Sequence, residues 1–150
     1  MKALTVEGVI QFSQKIEQES YQFYKSSSLK LKDPDLNRMI DDLAAAEINH
    51  LNRLRKLLDE RRLSREELDQ PVQLAEEDYQ KIVATTEISD TATPRTILES
   101  ALLREQNTES TYRMLLTFTN LSEEIIRVFE YLVNQEAGHV KIIRNKLKNL

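Results

Sequence analysis

Residues 43–50 read Leu43-Ala44-Ala45-Ala46-Glu47-Ile48-Asn49-His50, and residues 136–139 read Glu136-Ala137-Gly138-His139. These two stretches hold both histidines of the chain, each three residues after a glutamate. Positions three apart on a helix are neighbours on one face, so each stretch aims a carboxylate and an imidazole to the same side. A single glutamate precedes each of them: Glu17 lies 30 residues before Glu47, and Glu105 lies 31 residues before Glu136. Two Glu-x-x-His helices and two single-glutamate helices supply the six ligands of a dinuclear carboxylate metal site inside a four-helix bundle.

The glutamates interrupt apolar stripes, which is where an unpaired carboxylate does not belong. At steps of three and four, the second helical stretch gives Leu36, Ile40, Leu43, Glu47, His50, Leu54 and Leu57; the fourth gives Ile125, Phe129, Leu132, Glu136, His139, Ile143 and Leu147. The third gives Leu98, Ala101, Glu105, Thr108, Tyr112 and Leu115, and the more polar first gives Ile10, Ser13, Glu17, Ser20 and Tyr24. Four carboxylates buried at one level would repel and lose hydration, at several kcal/mol per ion. Two divalent cations reverse that sign. Oxygen and imidazole donors without sulfur suit iron or manganese, in a pair of ions roughly 3.5–4 Å apart bridged by the Glu-x-x-His carboxylates. One Glu-x-x-His pair alone is more often a solvated face; two pairs with two matched glutamates on apolar stripes are not.

The punctuation predicts four long helices, over about 5–30, 34–61, 94–119 and 123–148. Asp33-Pro34 and Thr93-Pro94 each read as a cap followed by proline at the first helical position, and Ser122 caps the last helix. Between the second and third helices lie about thirty residues, 63–92, with a Ser64-x-x-Glu67 capping box, Pro71 and a short helix-like run from Leu74 to about Thr86. A connection this long needs a reason. Joining two short-loop hairpins with helices 2 and 3 parallel supplies it, because the link must then travel the length of the bundle. The hairpins also echo each other: Ser13, Glu17, Phe23 and Tyr24 match Ala101, Glu105, Thr111 and Tyr112 at an offset of 88, and Glu47 and His50 match Glu136 and His139 at 89.

With 150 residues, two glycines, three prolines and 31% charged residues, the sequence describes one long-helix domain over 1–150 rather than a sheet. The absence of cysteine leaves no disulfide, thiolate zinc site or iron–sulfur cluster. A net charge of −4 argues against nucleic acid as a partner. No stretch approaches the roughly 18 apolar residues of a membrane span, and the N-terminus has no apolar signal core. The expected location is the cytoplasm.

Ser13-x-x-x-Glu17-x-x-x-x-x-Phe23-Tyr24, Leu43-Ala44-x-x-Glu47-x-x-His50, Ala101-x-x-x-Glu105-x-x-x-x-x-x-Tyr112 and Glu136-Ala137-Gly138-His139 together resemble the rubrerythrin-like branch of the ferritin-like superfamily. The resemblance spans both hairpins. It implies an all-α, ferritin-like antiparallel four-helix bundle with one long crossover between helices 2 and 3, and a non-haem centre of two iron ions. Glu47 and Glu136 would bridge the metals, Glu17 and Glu105 would be terminal carboxylates, and His50 and His139 would each cap one iron. The sequence departs from rubrerythrins at Thr108, where they carry a second glutamate three residues after the helix 3 ligand, and in lacking a rubredoxin-type cysteine cluster. Glu109, one residue on, reads as a surface charge at the edge of the stripe.

These readings point first to a di-iron oxidoreductase reducing hydrogen peroxide or dioxygen, with electrons from a separate protein. A ferroxidase or iron-handling protein without sustained turnover is the second reading, and a bundle merely stapled by an ion such as zinc is the third. Tyr24 and Tyr112, two turns beyond Glu17 and Glu105, are placed to hydrogen-bond carboxylate ligands across the bundle or to serve as core tyrosines. Gly138 marks close helix approach, access to the site or a tolerated defect. Phe12 and Tyr21 offer an apolar outer face for a homodimer.

Overall fold

A computed structural model describes residues 3–73, 92–118 and 121–150. Four long helices dominate: α1 (Val6–Ser28), α2 (Pro34–Asp59), α4 (Pro94–Leu115) and α5 (Glu123–Lys148), with a single-turn α3 (Arg65–Leu68) after α2. Each start is set by a side chain accepting an otherwise unpaired amide. Thr5 takes the Gly8 N–H, Asp33 that of Asp35, Ser64 that of Glu67 and Ser122 that of Ile125. Thr93 and Thr96 cap each other reciprocally at the head of α4. The Ser64 device is only half of the expected box, because no return bond from the Glu67 side chain forms.

The order of apolar and polar positions along the helices dictates the topology. One apolar cluster gathers Ile10, Leu54, Leu57, Tyr112, Leu115, Phe129 and Leu132; another gathers Phe23, Tyr24, Leu36, Ile40, Leu43, Leu98, Ala101 and Ile143. Between them on every helix stand the polar residues: Ser13, Glu17 and Ser20; Glu47 and His50; Glu105 and Thr108; Glu136 and His139, all buried. The chain meets the first cluster before the second in α1 and α5, and the second before the first in α2 and α4. Helices α2 and α4 therefore run the same way. The connection between them must return along the whole bundle, the ferritin-like arrangement.

The first part of that connection is fixed to the start of the chain, which the sequence reading did not anticipate. Residues Ala3–Thr5 (β1) pair antiparallel with Pro71–Gln73 (β2), Leu4 opposite Val72. The Val6 amide donates to the Gln70 carbonyl at 2.9 Å, and Arg65 holds Glu7 at 2.9 and 3.2 Å. Three-residue strands are too short to show alternation. The helix-like run from Leu74 to Thr86 lies outside the described residues. Among those described, no helix is long and apolar enough to cross a membrane.

Candidate metal centre

At mid-height of the bundle all six expected ligands converge. Glu17, Glu136 and His50 are 0% exposed, Glu47 1%, Glu105 2% and His139 8%. Their donor atoms fall into two sets: Glu17, Glu47, His50 and Glu136 offer atoms within 4.8 Å of one another, as do Glu47, Glu105, Glu136 and His139. Glu47 and Glu136 belong to both. Each points one oxygen to each half: Glu136 Oε1 lies 3.1 Å from His50 Nδ1 and Oε2 3.8 Å from His139 Nδ1, while Glu47 Oε2 and Oε1 lie 3.9 and 3.8 Å from the same two nitrogens. The imidazole rings stack with centroids 5.8 Å apart.

Glu17 and Glu105 serve one half each, and each has its two oxygens divided between two tasks. Tyr112 donates its hydroxyl to Glu17 Oε1 at 2.7 Å, and Tyr24 donates to Glu105 Oε1. The other oxygens face inward, Glu17 Oε2 at 3.4 Å from His50 Nδ1 and Glu105 Oε2 at 3.6 Å from His139 Nδ1. Each tyrosine reaches from one hairpin to the carboxylate of the other, so these hydrogen bonds also join α1 to α4. A core-only role for the tyrosines does not describe them.

Despite these short separations, Glu17 Oε2, Glu47 Oε1, Glu105 Oε2, both Glu136 oxygens and the Nδ1 atoms of His50 and His139 make no hydrogen bond. Buried polar atoms are nearly always paired, and lone pairs aimed at common points rather than at one another are the arrangement a cation requires. The donor set, oxygen and imidazole nitrogen without sulfur, suits a first-row divalent metal such as iron, manganese or zinc. The residues fit the group.

Side-chain electrostatics show the strain of the carboxylates alone. Burial, then the charges of Glu17 and Glu105, push the Glu47 carboxyl well above its ordinary range. Burial also raises Glu17, but the close approach of Glu47 and His50 and the His50 charge outweigh it, leaving Glu17 below its ordinary value. Burial disfavours a charged His50, yet Glu17 beside it wins and raises its basicity. Burial, then the negative charge of Glu105 and Glu17 respectively, lift Tyr24 and Tyr112 far above ordinary phenols. Both hydroxyls stay protonated and act as donors.

Thr108 is buried but does not enter the cluster; its hydroxyl donates back to the Arg104 carbonyl at 2.8 Å. Glu109 pairs with Arg113 at 2.8 Å on the outside, as a surface charge. Gly138 is not a point of close approach, since a Cβ built there would meet nothing within 4 Å. Tyr21 packs on the Phe23–Tyr24 cluster of its own chain. Sequence reasoning missed Asn49, Arg53 and Tyr131, which gather over His50. Each stands beside the ligand stripe and reads, alone, as a solvated residue.

A bundle whose four helices direct a carboxylate–histidine cluster into their shared core has the ferritin-like fold with a candidate metal-binding site. The sequence matches the rubrerythrin family over residues 9–147, and the chain belongs to that family. Its structure is similar to that of a hypothetical protein from Pyrococcus furiosus, with a TM-score of 0.69 and 25% sequence identity over 97% of this chain and 89% of that one. No curated protein matches it.

Proposed function

We propose that the chain is a non-haem di-iron oxidoreductase that reduces hydrogen peroxide or dioxygen. The observation that carries this reading is the division of the cluster into two four-residue sets sharing Glu47 and Glu136. One ion would sit with Glu17 and His50, the other with Glu105 and His139, both bridged by the shared carboxylates. When bound, the irons supply two electrons to the oxidant, so that peroxide plus two protons becomes two waters. A separate donor protein then restores those electrons.

The chain's own residues shape that chemistry. Four carboxylates offset the cation charge, and more strongly as it rises in the oxidised state. Tyr24 and Tyr112 fix the rotation of Glu105 and Glu17, so that one oxygen of each stays turned to the metal. The two apolar clusters above and below exclude water, which strengthens every charge interaction in the layer.

Anaerobic loading with ferrous iron should give two ions per chain and a colourless protein. Addition of peroxide should then produce near-ultraviolet absorption, with one peroxide consumed per chain. Bound iron that leaves peroxide untouched would sink the reading. The self-bonded Thr108 favours a second reading, an iron-oxidising or iron-holding protein without sustained turnover. Steady-state peroxide consumption with an electron donor separates the two, because that second reading allows only a single stoichiometric oxidation.

A further inference from the structure

The repeat that relates the hairpins holds in the ligand layer and fails one layer outside it. Over His50, the Tyr131 ring stands edge-on with centroids 6.2 Å apart and an interplanar angle of 89°. The Arg53 guanidinium lies over the Tyr131 ring, 3.8 Å from its centroid. Asn49 joins the group: its Oδ1 accepts from Arg53 Nε at 3.1 Å and from the Tyr131 hydroxyl at 3.4 Å. These three side chains, from α2 and α5, form a clasp over His50, which is wholly buried.

The offset of 89 that maps His50 onto His139 maps Asn49 onto Gly138, Arg53 onto Ile142 and, in reverse, Tyr131 onto Asp42. None of these can reproduce the clasp. Gly138 has no side chain and open space where one would stand, and Ile142 is 49% exposed. His139 accordingly keeps 8% exposure where His50 has none. On the opposite wall the carboxylate donors are matched, Tyr24 to Glu105 and Tyr112 to Glu17.

We propose that the clasp makes the two metal positions unequal: the ion at Glu105 and His139 exchanges readily, whereas the ion at Glu17 and His50 is retained. The inference rests on the dinuclear reading above. Release of an ion needs its imidazole to swing away. Tyr131, braced by Arg53, opposes that swing for His50, while the corresponding positions offer His139 no such brace. Asn49, Arg53 and Tyr131 are thus positioning residues. Such outer partners commonly change metal affinity by roughly tenfold to a hundredfold.

The test uses the full chain loaded anaerobically with ferrous iron and mixed with an excess of a coloured ferrous chelator. Fewer than two ions per chain at the outset would remove the dinuclear reading, and this inference with it. With two bound, release should show two phases of equal amplitude, their rates about tenfold or more apart. Tyr131→Ala and Arg53→Ala should each accelerate the slow phase and leave the fast one unchanged. Building the clasp on the other hairpin with Asp42→Tyr, Gly138→Asn and Ile142→Arg together should slow the fast phase. A single rate for both ions in the unmodified chain, or a slow phase indifferent to Tyr131→Ala, overturns the proposal. Should the triple variant fail to melt cooperatively, the Tyr131 and Arg53 variants decide alone.

Discussion

The two walls that join the hairpins are built from different interactions. Between α1 and α4, buried tyrosine hydroxyls donate to carboxylates, Tyr112 to Glu17 and Tyr24 to Glu105, each reaching across to the other hairpin. Between α2 and α5, the imidazoles of His50 and His139 stack, each faces a glutamate of the other helix, and an outer clasp stands over His50. The tyrosine donors of the first wall are matched because each carboxylate needs a donor in the dry interior. The second differs between halves in its outer layer, where Asn49, Arg53 and Tyr131 stand on one side and Gly138, Ile142 and Asp42 on the other. Symmetry is kept where desolvation is most costly and relaxed where it is least.

Changing a carboxylate that belongs to both halves should break this comparison most severely. Glu47→Gln imitates the protonated carboxyl that burial already favours at this position, so the metal-free protein should melt no lower than the parent. Its response to iron is another matter. A bound ion at a thousandfold excess over its Kd stabilises a fold by about 4 kcal/mol, and that gain should vanish in Glu47→Gln. Glu17→Gln and Glu105→Gln should each retain one ion and part of the gain. Thermal melts with and without ferrous iron, beside metal analysis, give the result; a Glu47→Gln protein that still binds both ions would refute the bridging assignment.

The polar layer was legible in the sequence because physical chemistry makes a mid-stripe carboxylate conspicuous. Glu17, Glu47, Glu105 and Glu136 each break an apolar run, and the order of apolar and polar residues along the four helices fixes their directions. Helix starts were equally plain, since Asp33-Pro34 and Thr93-Pro94 signal themselves. Ends were less so: α4 stops at Leu115 rather than near residue 119, and no glycine marks the place. The strand pair Ala3–Thr5 with Pro71–Gln73 joins short segments far apart in sequence, and nothing local in either announces the other. The clasp was hidden for a related reason. Arg53 and Tyr131 are unremarkable on their own helices and acquire meaning only when α2 and α5 are set side by side.

The tyrosine wall offers a smaller and sharper perturbation. Tyr112→Phe and Tyr24→Phe each remove only a hydroxyl and leave a buried carboxylate oxygen without its donor, at about 1–3 kcal/mol. Because the two bonds are counterparts across the repeat, their costs in urea unfolding of the metal-free protein should agree within about 0.5 kcal/mol. A large inequality would show that the first wall is no more symmetric than the second. In the iron-loaded protein each variant should also loosen the ion on its own half by roughly tenfold or more, Tyr112→Phe at Glu17 and Tyr24→Phe at Glu105.

The smallest expected effect carries the clearest sign. Asn49 and Gly138 occupy corresponding positions, one before each histidine, and alanine should act oppositely at the two. Asn49→Ala removes the acceptor that holds Arg53 and Tyr131 together, a loss of about 1 kcal/mol that the better helix propensity of alanine offsets in part. Gly138→Ala adds a methyl group where nothing stands within 4 Å, in the middle of α5 and at a negative φ, so no clash or strain opposes it. Helix propensity alone then applies, and the variant should gain about 1 kcal/mol. Urea unfolding of both variants without metal checks the pair. A loss at Gly138 would mean that α5 needs its glycine for close contact.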